Sequence, residues 1–317
     1  MHLVIGAGEF LGDHVSRALA AEVPVIELNA DADDETLADA ISAVEVVINC
    51  AQSWSPARRL RFQKNPPVVL SRIVEAARRA NVRRIVHVST ADVYGPDQNV
   101  QLNEKSPLKP VHAYERLKLY EEQWLKQSAR DLEVVIMRPA RVFGEKEDWI
   151  LSRLMGSLVK GRVWLPGGGR AKQTFVSAAD VGRACLAAAD RGRPGHTYLV
   201  GGFEASWRDL LESAIRAVGV GGTIVNLPYD LLYLRSLAIE TFAAPGAVVW
   251  PGIYAADVIG KSRYYDDSQS RRELTWSPSV GSFEQEMPRM AAWLSRLPDV
   301  AAAINAAAAI TPTSPPK

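Results

Sequence analysis

Apolar residues in this chain come in short unbroken runs, and between the runs they recur every three to four positions. Buried strands taken in turn with amphipathic helices produce that pattern. Leu3-Val4-Ile5 opens as a strand, and a helical period follows the glycines at 6–12 through about Ala21. Val23 to Leu28 is a second strand, about 34–43 a helix, and Val46 to Ala51 a strand of the buried kind. The helix from Val68 to Ala80 carries apolar residues at 69, 70, 73, 74 and 77, and Asn65-Pro66 has the form of its cap. Arg83 to Thr90 is the next strand and ends in hydroxyls; His87 within it reads as a core histidine.

The second half is more mixed. Ile150 to Lys160 reads as a helix, and Leu165-Pro166-Gly167-Gly168-Gly169 as a flexible turn before a strand at 174–176. Val181 to Ala189 is a helix, Thr197 to Gly202 a strand, and Ser206 caps another helix. A hydrophobic helix lies near 229–243, and Glu284 to Leu297 closes the ordered part. The alternation predicts an α/β protein, a doubly wound parallel sheet with helices on both faces and a smaller C-terminal lobe. Residues 1–150 form the first domain, 151–298 complete the sheet and build the lobe, and 299–317 are an Ala/Pro-rich tail expected to fray. Tyr233, Trp250 and Tyr254 are candidates for a substrate pocket, though aromatics so placed are more often core.

Composition narrows the function classes. With 47% apolar residues, the 317-residue chain can bury a full core, and its formal net charge of +1 gives no electrostatic case for nucleic acid or an anionic membrane. Arg58, Arg59, Arg61 and Lys64 cluster in one loop and read as a solvated charged face. Cys50 and Cys185 sit in apolar contexts, as reduced thiols do. Met1 runs straight into a strand pattern, and no run of eighteen apolar residues exists. The expectation is a cytoplasmic protein with a small-molecule substrate, no membrane partner and no metal.

Two stretches carry candidate chemistry. Gly6-Ala7-Gly8-Glu9-Phe10-Leu11-Gly12 stands between a strand and a helix, where glycines allow a tight turn and the helix N-terminus offers amides to a pyrophosphate. Glu27, near the end of the second strand, is placed either to hold an adenosine ribose or as an ordinary edge-strand glutamate; Asp31 follows in an acidic loop. The second stretch is Tyr114-Glu115-Arg116-Leu117-Lys118. Four residues apart on a helix, Tyr114 and Lys118 leave one face a turn apart, and an ammonium there pulls a phenol's pKa down toward working pH. Such a phenol can exchange a proton with a substrate hydroxyl or carbonyl.

With these motifs in order, the sequence resembles the extended short-chain dehydrogenase/reductases, also called the NAD-dependent epimerase/dehydratase family. The resemblance rests on the glycine turn, Asn49-Cys50-Ala51-Gln52, Val88-Ser89-Thr90-Ala91-Asp92-Val93-Tyr94-Gly95, the Tyr114 to Lys118 helix and Met137-Arg138-Pro139-Ala140-Arg141-Val142-Phe143-Gly144. Thr174 to Val181 and Ser268 to Pro278 complete the set. The resemblance implies a Rossmann fold binding NAD or NADP, with a slight lean to NAD because no arginine follows the second strand. It implies Tyr114 as general acid/base, Lys118 lowering its pKa and binding the nicotinamide ribose, and Thr90 orienting the reacting oxygen. The cofactor would lie against Gly6, Gly8, Phe10, Leu11 and Gly12, with Glu27, Asp31, Cys50, Ala51, Pro139 and Val142 as further contacts. A homodimer is implied too.

The departures shape the function expected. Glu9 stands where the family has its middle glycine; either Gly8 takes over and Glu9 points outward, the preferred reading, or cofactor binding is weakened or lost. The family's second and third strands look compressed into residues 23–31. Ala91-Asp92 replaces the Asp-Glu pair of the dehydratases, which disfavours dehydration. Arg141 stands where many sugar-nucleotide enzymes have asparagine, so Asp92 and Arg141 are candidates to bind substrate, or to pair with each other. The expected activity is interconversion of a secondary alcohol and a ketone. An epimerase without net redox change and a catalytically silent nucleotide-binding protein are the alternatives.

Overall fold

The computed structural model describes residues 1–51, 67–96, 100–244 and 250–310. The basic cluster Arg58, Arg59, Arg61 and Lys64, the Asn65-Pro66 cap and Gln52 lie outside the described residues, as do residues 311–317.

The first half alternates without exception: β1 (His2–Ile5), α1 (Phe10–Ala20), β2 (Val25–Leu28), α2 (Asp34–Ser42), β3 (Val46–Asn49), α3 (Val68–Arg79), β4 (Arg84–Val88), α4 (Ala113–Ser128) and β5 (Glu133–Pro139). A single 3-10 turn, Ala91–Tyr94, follows β4. Then come β6 (Arg141–Phe143), α5 (Leu151–Val159), β7 (Arg162–Pro166), β8 (Lys172–Ser177), α6 (Ala178–Arg191) and β9 (Thr197–Val200). The remainder is β10 (Phe203–Ser206), α7 (Trp207–Val218), β11 (Thr223–Leu227), α8 (Tyr229–Phe242), α9 (Ile253–Gly260), α10 (Ser268–Leu274), α11 (Phe283–Leu294) and α12 (Pro298–Ile310).

Six parallel strands form the main sheet in the order β2-β1-β3-β4-β5-β9. Successive side chains in a strand face opposite sides, so each apolar run feeds two cores at once. Val4, Val46, Ile48, Val86, Val88, Val135 and Met137 pack under α1 and α6, while Leu3, Ile5, Val47, Ile85, Val134 and Ile136 pack under α2, α3 and α4. The chain leaves β1 one way for β2 and returns on the other side for β3. The crevice beyond the carboxyl ends of β1 and β3 is therefore the topological switch point, where such sheets bind ligands. β2 is one edge of this sheet and β9 the other. Where two compressed strands were expected at 23–31, one forms, and Asp33 caps α2 by accepting the Thr36 amide at 2.8 Å. A second strand has no residues to draw on, because the chain is already helical at Asp34.

The lobe rests on a separate core of Phe143, Leu154, Phe175, Trp207, Phe283 and Met290. Two small sheets, β10-β8-β6 and β11-β7, frame it. The Ala-rich run read as a fraying tail is helical to Ile310: alanine is the strongest helix former, and buried Val300 anchors the first turn on this core. No helix among the described residues is long and apolar enough to cross a membrane.

Candidate active site

The glycine turn is built as its spacing requires. Gly6 has φ +88°, and a Cβ there would lie 2.8 Å from the Ala51 nitrogen, so β1 and the end of β3 meet backbone to backbone. A Cβ on Gly12 would fall 1.8 Å from the Gly6 carbonyl oxygen, which sets how closely α1 can follow the turn. Gly8 is exposed and faces Asn29. Shape and amide supply therefore fit a dinucleotide pyrophosphate at the N-terminus of α1. Charge opposes it. Glu9 is half-buried, and after burial and nearer groups its negative charge contributes to raising the pKa values of Lys118 and Cys50. It is the N-cap residue of α1, with extended φ/ψ and no side-chain cap hydrogen bond, so its charge sits at the positive end of the helix.

A cavity of about 330 Å³ opens beside this turn, and Phe10, Leu11, Thr90, Asp92, Tyr114, Pro139, Arg141 and Val142 all line it. The structure thus gathers these predicted residues from α1, the segment after β4, α4, β5 and β6 around one space. Lys118 is buried beneath Tyr114 on α4, its Nζ 3.0 Å from Glu121 Oε2 and 3.5 Å from the Val88 carbonyl. Cys50 and Ala51 are buried at the end of β3. Glu27 and Asp31 are exposed on and after β2 and do not reach the cavity.

The electrostatics differ from the expectation at Tyr114. Burial raises the phenol's pKa above its usual value; Lys118 opposes this, while Asp92 and Glu121 add to it. The lysine's pull is present but outweighed by burial, with Asp92 and then Glu121 acting against it. Burial works against the ammonium as well, yet Glu121, then Tyr114 and Glu9, raise the Lys118 pKa.

Thr90 Oγ1 accepts the Asp92 amide at 3.2 Å and so caps the 3-10 turn while facing the cavity. Asp92 and Arg141 are turned on each other: both Asp92 oxygens accept from Arg141 Nη2 at 3.1 Å. Buried Arg263 and the Tyr254 hydroxyl also donate to Asp92. Burial disfavours the Asp92 charge, but the two guanidiniums hold the carboxyl far below the usual carboxylate range. Beneath lies a pillar of buried groups in which Glu122 accepts from Ser89 at 2.5 Å and from Arg138 Nε at 2.9 Å, and Arg138 donates to the Tyr94 hydroxyl at 2.8 Å.

Sequence reasoning missed Ser89, Glu147, Asp148, Trp149 and Arg153 in the cavity wall, and Arg263 behind it. Trp149 stacks on Tyr254 with ring centroids 5.1 Å apart, and Tyr254 in turn lies 5.5 Å from Tyr114. No local spacing marks these residues. Of the named aromatics, Tyr254 lines the cavity, Trp250 packs under Arg153, and Tyr233 packs on Tyr229 on α8 instead.

A doubly wound sheet, a glycine turn at its switch point and a Tyr-Lys pair on the facing helix define a nicotinamide-dinucleotide enzyme of the extended short-chain dehydrogenase type. The NAD dependent epimerase/dehydratase family model matches residues 2–201, and the chain belongs to that family. It is 26% identical over 262 residues to a 4-hydroxy-2-methyl-3-oxo-4-farnesyl-3,4-dihydroquinoline-1-oxide ketoreductase of Stigmatella aurantiaca, covering 78% of this chain and 76% of that one. It is 29% identical over 211 residues to an uncharacterised protein (y4nG) of Sinorhizobium fredii, covering 65% of this chain but spanning only 52% of that relative's length. The structure of a UDP-glucuronic acid 4-epimerase from Bacillus cereus in complex with NAD superposes with TM-score 0.71 at 18% identity, covering 94% of this chain and 99% of that one.

Proposed function

We propose that this protein interconverts a secondary alcohol and a ketone on a small-molecule substrate, with Tyr114 as general acid/base, Lys118 beneath it and Thr90 orienting the reacting oxygen. The observation that carries this reading is the convergence of Tyr114 and Thr90, from different elements, on one cavity beside the glycine turn. NAD or NADP, when bound, accepts or supplies the hydride. Gly6, Gly8, Phe10, Leu11, Gly12, Ala51, Pro139 and Val142 would hold it, with Lys118 at the ribose. The chain's own part is to orient the substrate oxygen between Thr90 and Tyr114 and to move one proton at the Tyr114 hydroxyl. A phenol held neutral is ready to give that proton to a carbonyl oxygen, which favours reduction. The aromatic wall of Trp149 and Tyr254, and the ketoreductase relative's farnesylated substrate, support an apolar body on the ketone.

An epimerase is the second reading, supported by the fold shared with the UDP-glucuronic acid epimerase. Dehydration has less support, because Asp92 is an ionised carboxylate held by Arg141, Arg263 and Tyr254 and has no proton to give a leaving hydroxyl. A homodimer in the cytoplasm completes the proposal, to be checked by sedimentation and fractionation.

The test is to titrate NADH and NADPH by fluorescence and then supply a panel of apolar ketones and sugar nucleotides. Stoichiometric loss of reduced cofactor with a ketone supports the oxidoreductase, and turnover without loss supports the epimerase. Tyr114→Phe should lower turnover by about 10²- to 10⁴-fold with cofactor affinity near normal. Unchanged turnover removes Tyr114 from the role, and no measurable affinity for either dinucleotide leaves only a silent relative.

A further inference from the structure

Behind Lys118, on the side away from the cavity, a line of polar groups crosses the core. Glu121 Oε2, on the next turn of α4, is 3.0 Å from Lys118 Nζ and 3.6 Å from His87 Nε2 on β4. Neither His87 nor Glu121 is more than 1% exposed. His87 Nδ1 is 3.1 Å from Asn49 Nδ2, and Asn49 Oδ1 accepts the Ala51 amide at 3.2 Å. That last bond decides the others. With its oxygen turned to a backbone donor, Asn49 presents its NH₂ to His87 Nδ1, which must be the lone-pair nitrogen. The imidazole proton is then on Nε2, which lies 3.6 Å from Glu121 Oε2 and makes no hydrogen bond to it. The line runs from Ala51, where β3 touches the glycine turn, through Asn49, His87 and Glu121 to Lys118 and Tyr114.

We propose that Glu121 is a positioning residue for the proton step at Tyr114: its carboxylate, enclosed with His87 and Asn49 behind the helix, holds the Lys118 ammonium at 3.0 Å and screens the phenol, one turn away, from that charge. The proposal rests on the reading of Tyr114 as the acid/base. An ammonium with a carboxylate at 3.0 Å acts on a third group as a dipole, not as a full charge. The burial that surrounds Tyr114 then governs its titration. Other groups face the same two side chains: Glu9 from the glycine turn, Cys50 from the end of β3, Asp92 from the 3-10 turn, Arg141 from β6 and Tyr254 from α9. Asp92 and Arg141 offset each other, and Glu9 acts with the same sign as Glu121. Burial lowers the His87 pKa well below its usual value, with Lys118 adding to this, so the imidazole beside Glu121 is neutral.

The experiment labels the full chain with tyrosine carrying ¹³C at Cζ and titrates it by NMR without cofactor, using Tyr114→Phe to assign the resonance. Glu121→Gln keeps the shape and removes the charge. The Tyr114 midpoint should fall by about one pH unit or more, the effect of a charge at this range. Glu121→Asp should restore part of the shift. A midpoint that stays or rises in Glu121→Gln overturns the proposal. Should that variant not fold by circular dichroism, Glu121→Asp, which draws the carboxylate back from Lys118, is titrated in its place. Its midpoint should fall by less, and an unmoved midpoint there overturns the proposal equally. The titration needs no turnover, so its failure is separate from that of the catalytic reading, which Tyr114→Phe kinetics decide.

Discussion

Glu9 stands within the glycine turn at the N-cap of α1. A bound pyrophosphate would share that helix N-terminus with a group of its own sign. Glu9→Gly should tighten NAD(H) binding about two- to fivefold, the 0.3–1 kcal/mol a charge is worth at a helix terminus. The gain should shrink in high salt. An unchanged dissociation constant would mean the carboxylate swings clear when the ligand arrives. Tyr114 yields a second prediction. A pKa raised above the ordinary value of about 10 leaves the phenol protonated across neutral pH. Ketone reduction should be flat from pH 6 to 9, and alcohol oxidation should climb throughout as the small phenolate fraction grows. A reduction rate falling through pH 7–8 would contradict this. The Tyr114–Lys118 spacing was legible in sequence, whereas the sign of the shift was not, because burial and Glu121 act only once the helix is packed.

Among the elements, β1, the glycine turn and α1 behave as one unit whose geometry is set by contacts no side chain could share. Gly12→Ala places a methyl 1.8 Å from the Gly6 carbonyl oxygen and must push α1 off the turn. Loss of cofactor binding by more than tenfold, with a lowered melting temperature, is expected from calorimetry and fluorescence titration. Retained affinity would show that α1 can slide. This unit could be read from sequence because strand, turn and helix are consecutive. The edge of the sheet could not. Whether residues 23–31 make one strand or two depends on what lies beside them, and β2 has β1 on one side only. The Ala-rich run was misread for a related reason, since its helix depends on Val300 finding the core of the lobe.

At the scale of the molecule, Asp92 joins the parts. It follows β4 of the main sheet, yet its partners come from β6 (Arg141), α9 (Tyr254) and the segment after α9 (Arg263, 171 positions away). Glu115 adds a second carboxylate 3.8 Å from Arg263. Removing the acid from such a buried set leaves guanidinium charge uncompensated, at a cost of about 3–5 kcal/mol. Asp92→Asn should therefore lower the melting temperature sharply, whether or not substrate is present. A variant that melts normally but binds substrate poorly would return Asp92 to the substrate-contacting role its position in the sequence suggested. The carboxylate serves the lobe junction first, and Arg141 reaches the cavity as part of that junction.

What the sequence determined by itself was whatever rests on neighbours along the chain: the period of each strand and helix, the glycines of the turn, the one-turn offset of Tyr114 and Lys118. These follow from backbone geometry, which is local. The tertiary structure alone decided the pairing of Asp92 with two distant arginines, the helix at 298–310 and the neutral state of the phenol. Each of those depends on which charges and surfaces are brought together out of water, and electrostatic and burial energies are set by distance in space, not by separation in sequence.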